Sequence, residues 1–166
     1  MGYTHYWSFT APKRGETAKI EKAYQKAIKE CATIARVYYQ ANGGLSGFSA
    51  HTEPGKYGGL KVNGKGDLSH EDFTMREYFK QNLEPDSFGN TGNFCKTARK
   101  PYDIVVTACL IVLTNRLPNN FSVDSDGYTD DWQAGLELAQ RILKNKKLTI
   151  PKNIRVYEPK LKLVKG

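Results

Sequence analysis

Apolar and polar positions along the chain recur with two different periods, and each change of period marks an element. From residue 2 to residue 10 the period is two: Tyr3, His5, Trp7 and Phe9 fall on one face, and Thr4, Tyr6 and Ser8 on the other. Aromatic and threonine content suits a strand, and an aromatic strand this early is expected near the centre of a sheet. After a turn at Pro12 the period lengthens. Ile20, Tyr24, Ala27, Cys31, Ile34 and Tyr38 follow at steps of three and four, with lysines, Glu21 and Glu30 on the opposite side. This predicts a helix over residues 16–40, ended by Asn42, Gly43 and Gly44, which tolerate the left-handed conformation. Residues 45–75 predict short strands and turns. A candidate strand covers residues 45–50, and turns fall at Pro54-Gly55 and Gly58-Gly59. Leu60, Lys61 and Val62 form a strand, Asn63-Gly64 gives a hairpin signal, and a return strand covers residues 68–75.

Residues 76–93 read as irregular, with turns at Pro85-Asp86 and Gly89-Asn90, and residues 93–100 as a compact polar and basic loop. Residues 104–113 are apolar nearly all round, the pattern of a central buried helix. Pro101 suits its first turn, and Asp103 favours the positive end of its dipole. A short strand is expected from Ser122 into a loop at Gly127. A helix follows over residues 129–143, capped by Thr129, with Trp132, Leu136, Ala139 and Leu143 inward and Gly135 allowing close packing. Residues 154–157 suggest a last strand. The sum is an α+β fold: a small, mostly antiparallel sheet packed on about three helices, one domain over residues 1–158, with a basic tail over 159–166.

Charge narrows the function. The net charge is +8, yet residues 141–166 carry nine Lys/Arg against Glu158 alone, and the preceding 140 residues carry 16 basic and 16 acidic side chains. The excess therefore lies in the tail. A general nucleic-acid surface on the body is disfavoured, while nucleic acid through the tail remains open. The longest apolar run is too short to span a bilayer, and the first residues carry no signal-peptide pattern, so no membrane association is expected. Cys31, Cys95 and Cys109 are odd in number and two of them sit in helical patterns, which points to reduced thiols, and the lack of a CxxC pair argues against a structural zinc site. His5, His51 and His70 show no metal-ligand spacing, and no cofactor is implied.

The candidate chemistry centres on Lys96, Thr97, Arg99, Lys100, Tyr102 and Asp103. Three cations with no acid among them, directly before a helix start, form a potential anion site. The plain alternative is a solvated basic turn capping a core helix. Arg99 can grip phosphate with two donors at once. Tyr3, Tyr6, Trp7 and Tyr102 can stack on a base, and Thr4, Thr97 and Asp103 can read hydroxyls or amines, although core packing is the simpler fate for Trp7. Catalysis would fall to His5, Cys95 or Asp103, with no orienting motif to support it.

The runs Gly2-Tyr3-Thr4-His5-Tyr6-Trp7 and Phe94-Cys95-Lys96-Thr97-Ala98-Arg99-Lys100-Pro101-Tyr102-Asp103 resemble an uncharacterised family of bacteriophage and prophage proteins. The stretch His70-Glu71-Asp72-Phe73 and the stretch from Ser125 through Trp132 to Gly135 are similar to it as well. The resemblance implies a phage protein acting in the host cytoplasm. It fits an anti-defence protein that traps a nucleotide signal without cleaving it, with Lys96, Thr97, Arg99, Lys100, Tyr102, Asp103, Thr4, His5 and Tyr6 as ligand-binding candidates. The alternatives are a nucleotide hydrolase or transferase, and a nucleic-acid binder. A homo-oligomer with a shared site is left open.

Overall fold

The computed structural model describes residues 2–43, 45–46, 59–85 and 93–159. The elements run β1 (Thr4–Phe9), α1 (Thr17–Asn42), β2 (Leu45–Ser46), β3 (Leu60–Gly64), β4 (Phe73–Met75), β5 (Asn93–Lys96), α2 (Asp103–Arg116), β6 (Phe121–Ser125) and α3 (Thr129–Leu143), with 3-10 turns at Gly66–Leu68 and Phe79–Leu83.

The apolar run after Asp103 forms α2, and every residue from Val105 to Leu113 is buried. A helix without a polar face is stable only when covered on several sides. Here α1 and α3 both pack against it. From α1 come Ile20, Tyr24, Ala27, Cys31 and Ile34, with Tyr38 partly buried. Gly43 ends that helix at φ 63°, its N–H bonded to the Tyr39 carbonyl. The inward face of α3 is rotated from the expected stripe: Trp132, Gly135, Leu138 and Ala139 are buried, and Leu136 and Leu143 only partly. The cause is close approach at Gly135, where a Cβ would lie 2.2 Å from Thr107 Oγ1 and 2.9 Å from the Ala108 nitrogen. The cap of α3 is Tyr128 rather than Thr129, and its N–H donates to Asp131 Oδ2 at 2.8 Å.

Strand β1 is central in an antiparallel sheet of order β5-β1-β6. His5 and Trp7 point inward into the core, with Phe9 partly buried against Tyr24, Phe79 and Phe121. A second small antiparallel sheet has the order β2-β3-β4.

Several local expectations need correction. Residues 93–96 form a strand, not loop, because pairing with β1 overrides their polar composition. Pro101 stands two residues before α2 begins. The return strand is only Phe73–Met75, and Leu68 lies in a 3-10 turn folded so tightly on Gly64 that a Cβ there would meet the Leu68 carbonyl oxygen at 1.9 Å. The irregular segment contributes Phe79 to the core from a 3-10 turn. Residues 154–157 supply only a single parallel bridge, Arg155 with Tyr128. Residues 47–50 of the first candidate strand, His51, the turn at Pro54-Gly55, Gly58, Asp86, Gly89-Asn90 and tail residues 160–166 lie outside the described residues. The architecture is that of one α+β domain. Among the described residues no helix is long and apolar enough to cross a membrane.

Candidate functional site

Strand β1, the end of β5, the start of α2 and the end of β6 meet at one point, and His5 joins them. The side chain is fully buried. Its Nδ1 lies 2.8 Å from Ser125 Oγ and its Nε2 2.6 Å from Asp103 Oδ1. Proton counting assigns the tautomer. Ser125 Oγ already accepts the Gly127 N–H at 3.0 Å and the Trp132 Nε1–H at 3.3 Å. Its own hydrogen then has one outlet, the unprotonated Nδ1, and Nε2–H donates to Asp103. Asp103 Oδ1 also accepts the hydroxyl of the buried Thr97 at 2.6 Å, while Oδ2 has no partner among the described residues. The Asp103 backbone carbonyl accepts from Thr107 Oγ1 at 3.0 Å.

Above this network the chain makes an unusual turn. The Lys100 N–H bonds to the Thr97 carbonyl at 3.0 Å, and the two central residues, Ala98 and Arg99, have φ of 50° and 58°. Such a turn normally calls for glycine or asparagine, and each left-handed L-residue costs roughly 1–2 kcal/mol. The turn is held by the Ala98 N–H to the Tyr3 carbonyl at 3.2 Å, by Thr97 on Asp103, and by Arg99 itself. The Arg99 guanidinium lies 4.2 Å from the centroid of the Tyr3 ring and donates through Nη1 to Asp131 Oδ1 at 2.7 Å. Burial would raise the Asp131 pKa, but the Tyr128 N–H and Arg99 outweigh it and hold the carboxyl below its usual value. Replacing Ala98 with Gly is therefore expected to raise the urea unfolding midpoint, for a net gain of about 0.5–1 kcal/mol after the entropy cost of glycine. A lower midpoint would mean that the turn carries no strain.

The remaining candidates divide into two groups. Thr97, Tyr102, Thr4 and His5 are buried. The Tyr102 hydroxyl donates to the Glu71 carbonyl at 2.7 Å, and the Thr4 N–H to Asp126 Oδ2 at 3.0 Å. These four hold the site together and do not face solvent. Lys96, Arg99, Lys100 and Tyr6 reach the surface. Lys100 Nζ donates to the Asp67 carbonyl at 2.7 Å. Lys96 Nζ has no partner among the described residues, and its stem crosses Gly2, where a Cβ would lie 3.0 Å from Cε.

The groups proposed for catalysis are placed poorly for it. Both ring nitrogens of His5 are engaged. The Cys95 thiol donates to the Glu71 carbonyl at 3.4 Å, and burial pushes its pKa up to about 12, so it is a thiol at neutral pH. The buried Tyr3 hydroxyl sits near Ser125 and against Gly127, completes no well-oriented hydrogen bond among the described residues, and is held in the phenol form by burial. Among the described residues no group of three or more His, Cys, Asp or Glu side chains could hold a metal.

Sequence reasoning missed Ser125, Asp131 and Glu71 as site members. Glu71 ties the edge of β5 by accepting the Lys96 N–H through Oε2 at 2.7 Å and donating its own N–H to the Lys96 carbonyl at 3.2 Å. Residues 2–7, 70–73, 94–103 and 125–135 converge around His5 and the turn. Compared with known proteins, the chain matches no protein-family model, no curated protein and no solved structure.

Proposed function

We propose that this protein binds a phosphate-bearing small molecule of nucleotide type at the turn between β5 and α2, and holds it intact. The observation that carries this reading is the pair of left-handed residues, Ala98 and Arg99. Strained backbone persists where the surroundings over-determine it, and it gathers at ligand sites. Here the strain keeps Arg99 between the Tyr3 ring and Asp131, which engages Nη1. The Nε and Nη2 donors, the edge suited to two phosphate oxygens, have no partner among the described residues. Lys96 and Lys100 flank the turn and would add charge.

Turnover has less support, since His5 is sealed inside its network, Cys95 is a buried thiol, and the Ser125 hydroxyl is saturated. Sequestration needs tight contacts and no general base. In a phage protein acting in the host cytoplasm, such a site would intercept a nucleotide-derived defence signal.

The test is isothermal titration with AMP, GMP, CMP and UMP, followed by chromatography of the recovered nucleotide. At least one should bind and return unaltered. Arg99→Ala should weaken it about 10–100-fold, the loss expected for hydrogen bonds to a charged partner, while the protein stays folded with a modestly lower melting temperature, because the exposed ion pair contributes little and the turn keeps its Ala98–Tyr3 and Thr97–Asp103 bonds. Equal affinity in the variant contradicts the reading, and so does a hydrolysed product.

A further inference from the structure

The balanced charge of residues 1–140 is a sum, and it hides a one-sided surface on α1. Lys19, Lys22, Lys26 and Lys29 recur at steps of three and four, so they stand above one another on a single helix face. All four are exposed, and the exposed Arg36 continues the same spacing after Thr33. The two acids of the helix do not neutralise them. Glu21 accepts the Phe79 N–H at 2.9 Å and the Gln25 amide at 2.9 Å, and Glu30 is held by two donors of Arg116 at 2.8 and 2.9 Å. Among the described residues, none of the four lysine ammonium groups has a hydrogen-bond or ion-pair partner. Like charges at these spacings repel and work against the helix that carries them. A hollow of about 390 Å³ opens among Lys22, Lys26, Lys29, Thr33 and Leu143 of α3. Leu143 brings the end of α3 to this rim. Lys144, Lys146 and Lys147 follow it, all exposed, with no acid from residue 138 to residue 157.

We propose that this ridge binds the phosphate backbone of a nucleic-acid duplex, independently of base sequence. From Lys19 to Lys29 the helix rises roughly 15 Å, and one strand of a duplex presents about four phosphates over that length. Lysine suits such a backbone, because a point charge on a flexible stem asks for no fixed geometry. The side chains around the hollow argue against other occupants. No aromatic lines it, so the bases of a single strand have nothing to stack on. Its one large apolar side chain is the half-buried Leu143, too little for the apolar face of a membrane-bound helix or the core of a protein interface. Reading bases would call for a free amide or guanidinium, and the amide at hand, Gln25, is engaged by Glu21 and by the Glu77 carbonyl at 2.7 Å. The inference rests on α1 and α3 and stands whether or not the turn at Arg99 holds a nucleotide.

Fluorescence anisotropy with a labelled DNA duplex of about 20 base pairs, at salt from about 50 to 200 mM, tests this. The logarithm of the binding constant should fall linearly with that of the salt concentration, with a slope of about −3.6 or steeper, roughly 0.9 for each phosphate neutralised. Lys22→Gln combined with Lys26→Gln should flatten the slope by about 1.8 and weaken binding about ten-fold or more at the lowest salt. The melting temperature should be no lower, since a like-charge pair has been relieved. Lys65→Gln combined with Lys152→Gln removes the same charge from exposed positions elsewhere and should leave the slope as it is. So should Lys160→Gln combined with Lys162→Gln in the basic tail. A wild type that binds no duplex, a ridge variant with the wild-type slope, or a control pair that flattens the slope as much as the ridge pair would overturn the proposal. Tighter binding of a single-stranded oligothymidylate of the same length, or of vesicles containing phosphatidylserine, would overturn the choice of a duplex.

Discussion

Replacing His5 with Leu is expected to destabilise the domain by about 2–4 kcal/mol, the range for removing one partner of a buried polar network. The melting temperature should fall by about 5–15 °C for a chain of this size. Among the described residues, His5 is the only side chain bonded at once to β6, through Ser125, and to the first residue of α2, through Asp103. A leucine fills much of the same volume but leaves Ser125 with two donors and no acceptor for its own hydrogen, and Asp103 with Thr97 alone. Asp103 is partly open to water, its side chain 16% exposed, so its charge can hydrate and the loss stays short of that for a sealed ion pair. Pairing His5→Leu with Asp103→Asn should therefore recover part of the loss, because an uncharged amide suffers less without its partner. Urea unfolding of both variants is the check. A His5→Leu protein as stable as the wild type would mean that the network does not hold the sheet to α2.

An equally large effect is expected at Gly135. Any side chain there meets α2 head-on, with Thr107 Oγ1 at 2.2 Å and the Ala108 backbone nitrogen at 2.9 Å from the new Cβ. Alanine should cost about 1–3 kcal/mol through overpacking, and leucine enough to prevent a stable fold. Backbone cannot yield as a flexible side-chain tip does, so combining Gly135→Ala with Thr107→Ala should restore only part of the stability. Full restoration would show that the contact is one of side chains alone. The clash also reaches the site, because Thr107 bonds to the carbonyl of Asp103. Gly135→Ala should consequently weaken ligand binding as well as lower the melting temperature.

The fold was legible where periodicity was long and unambiguous. Strand β1 and helix α1 follow their apolar spacing closely, α3 spans the residues expected of it with its inward face rotated, and α2 declares itself by having no polar face. Short elements were harder to read. Asn93, Phe94, Cys95 and Lys96 look like loop because their strand character comes from the partner β1, which local composition does not report. The inward face of α3 turned on one missing Cβ at Gly135, a packing fact that a hydrophobic stripe cannot show. At the site, residue types were readable and their roles less so. Thr97, Tyr102 and His5 look available in sequence, yet burial commits each to an internal hydrogen bond. Asp131 lies 32 positions from Arg99, and nothing local to either residue announces the pair. The left-handed turn at Ala98-Arg99 was also hidden, since neither residue type favours that conformation.

The most direct test of the account is native mass spectrometry of the wild type and of Arg99→Ala after both have been incubated with a protein-free metabolite extract of phage-infected cells, with denaturing release of whatever is bound. The account predicts that the wild type acquires a discrete added mass, that the released compound carries phosphate and a base and is intact, and that Arg99→Ala acquires little of it. A wild type that emerges without added mass, or two proteins that carry the same compound to the same extent, would contradict it.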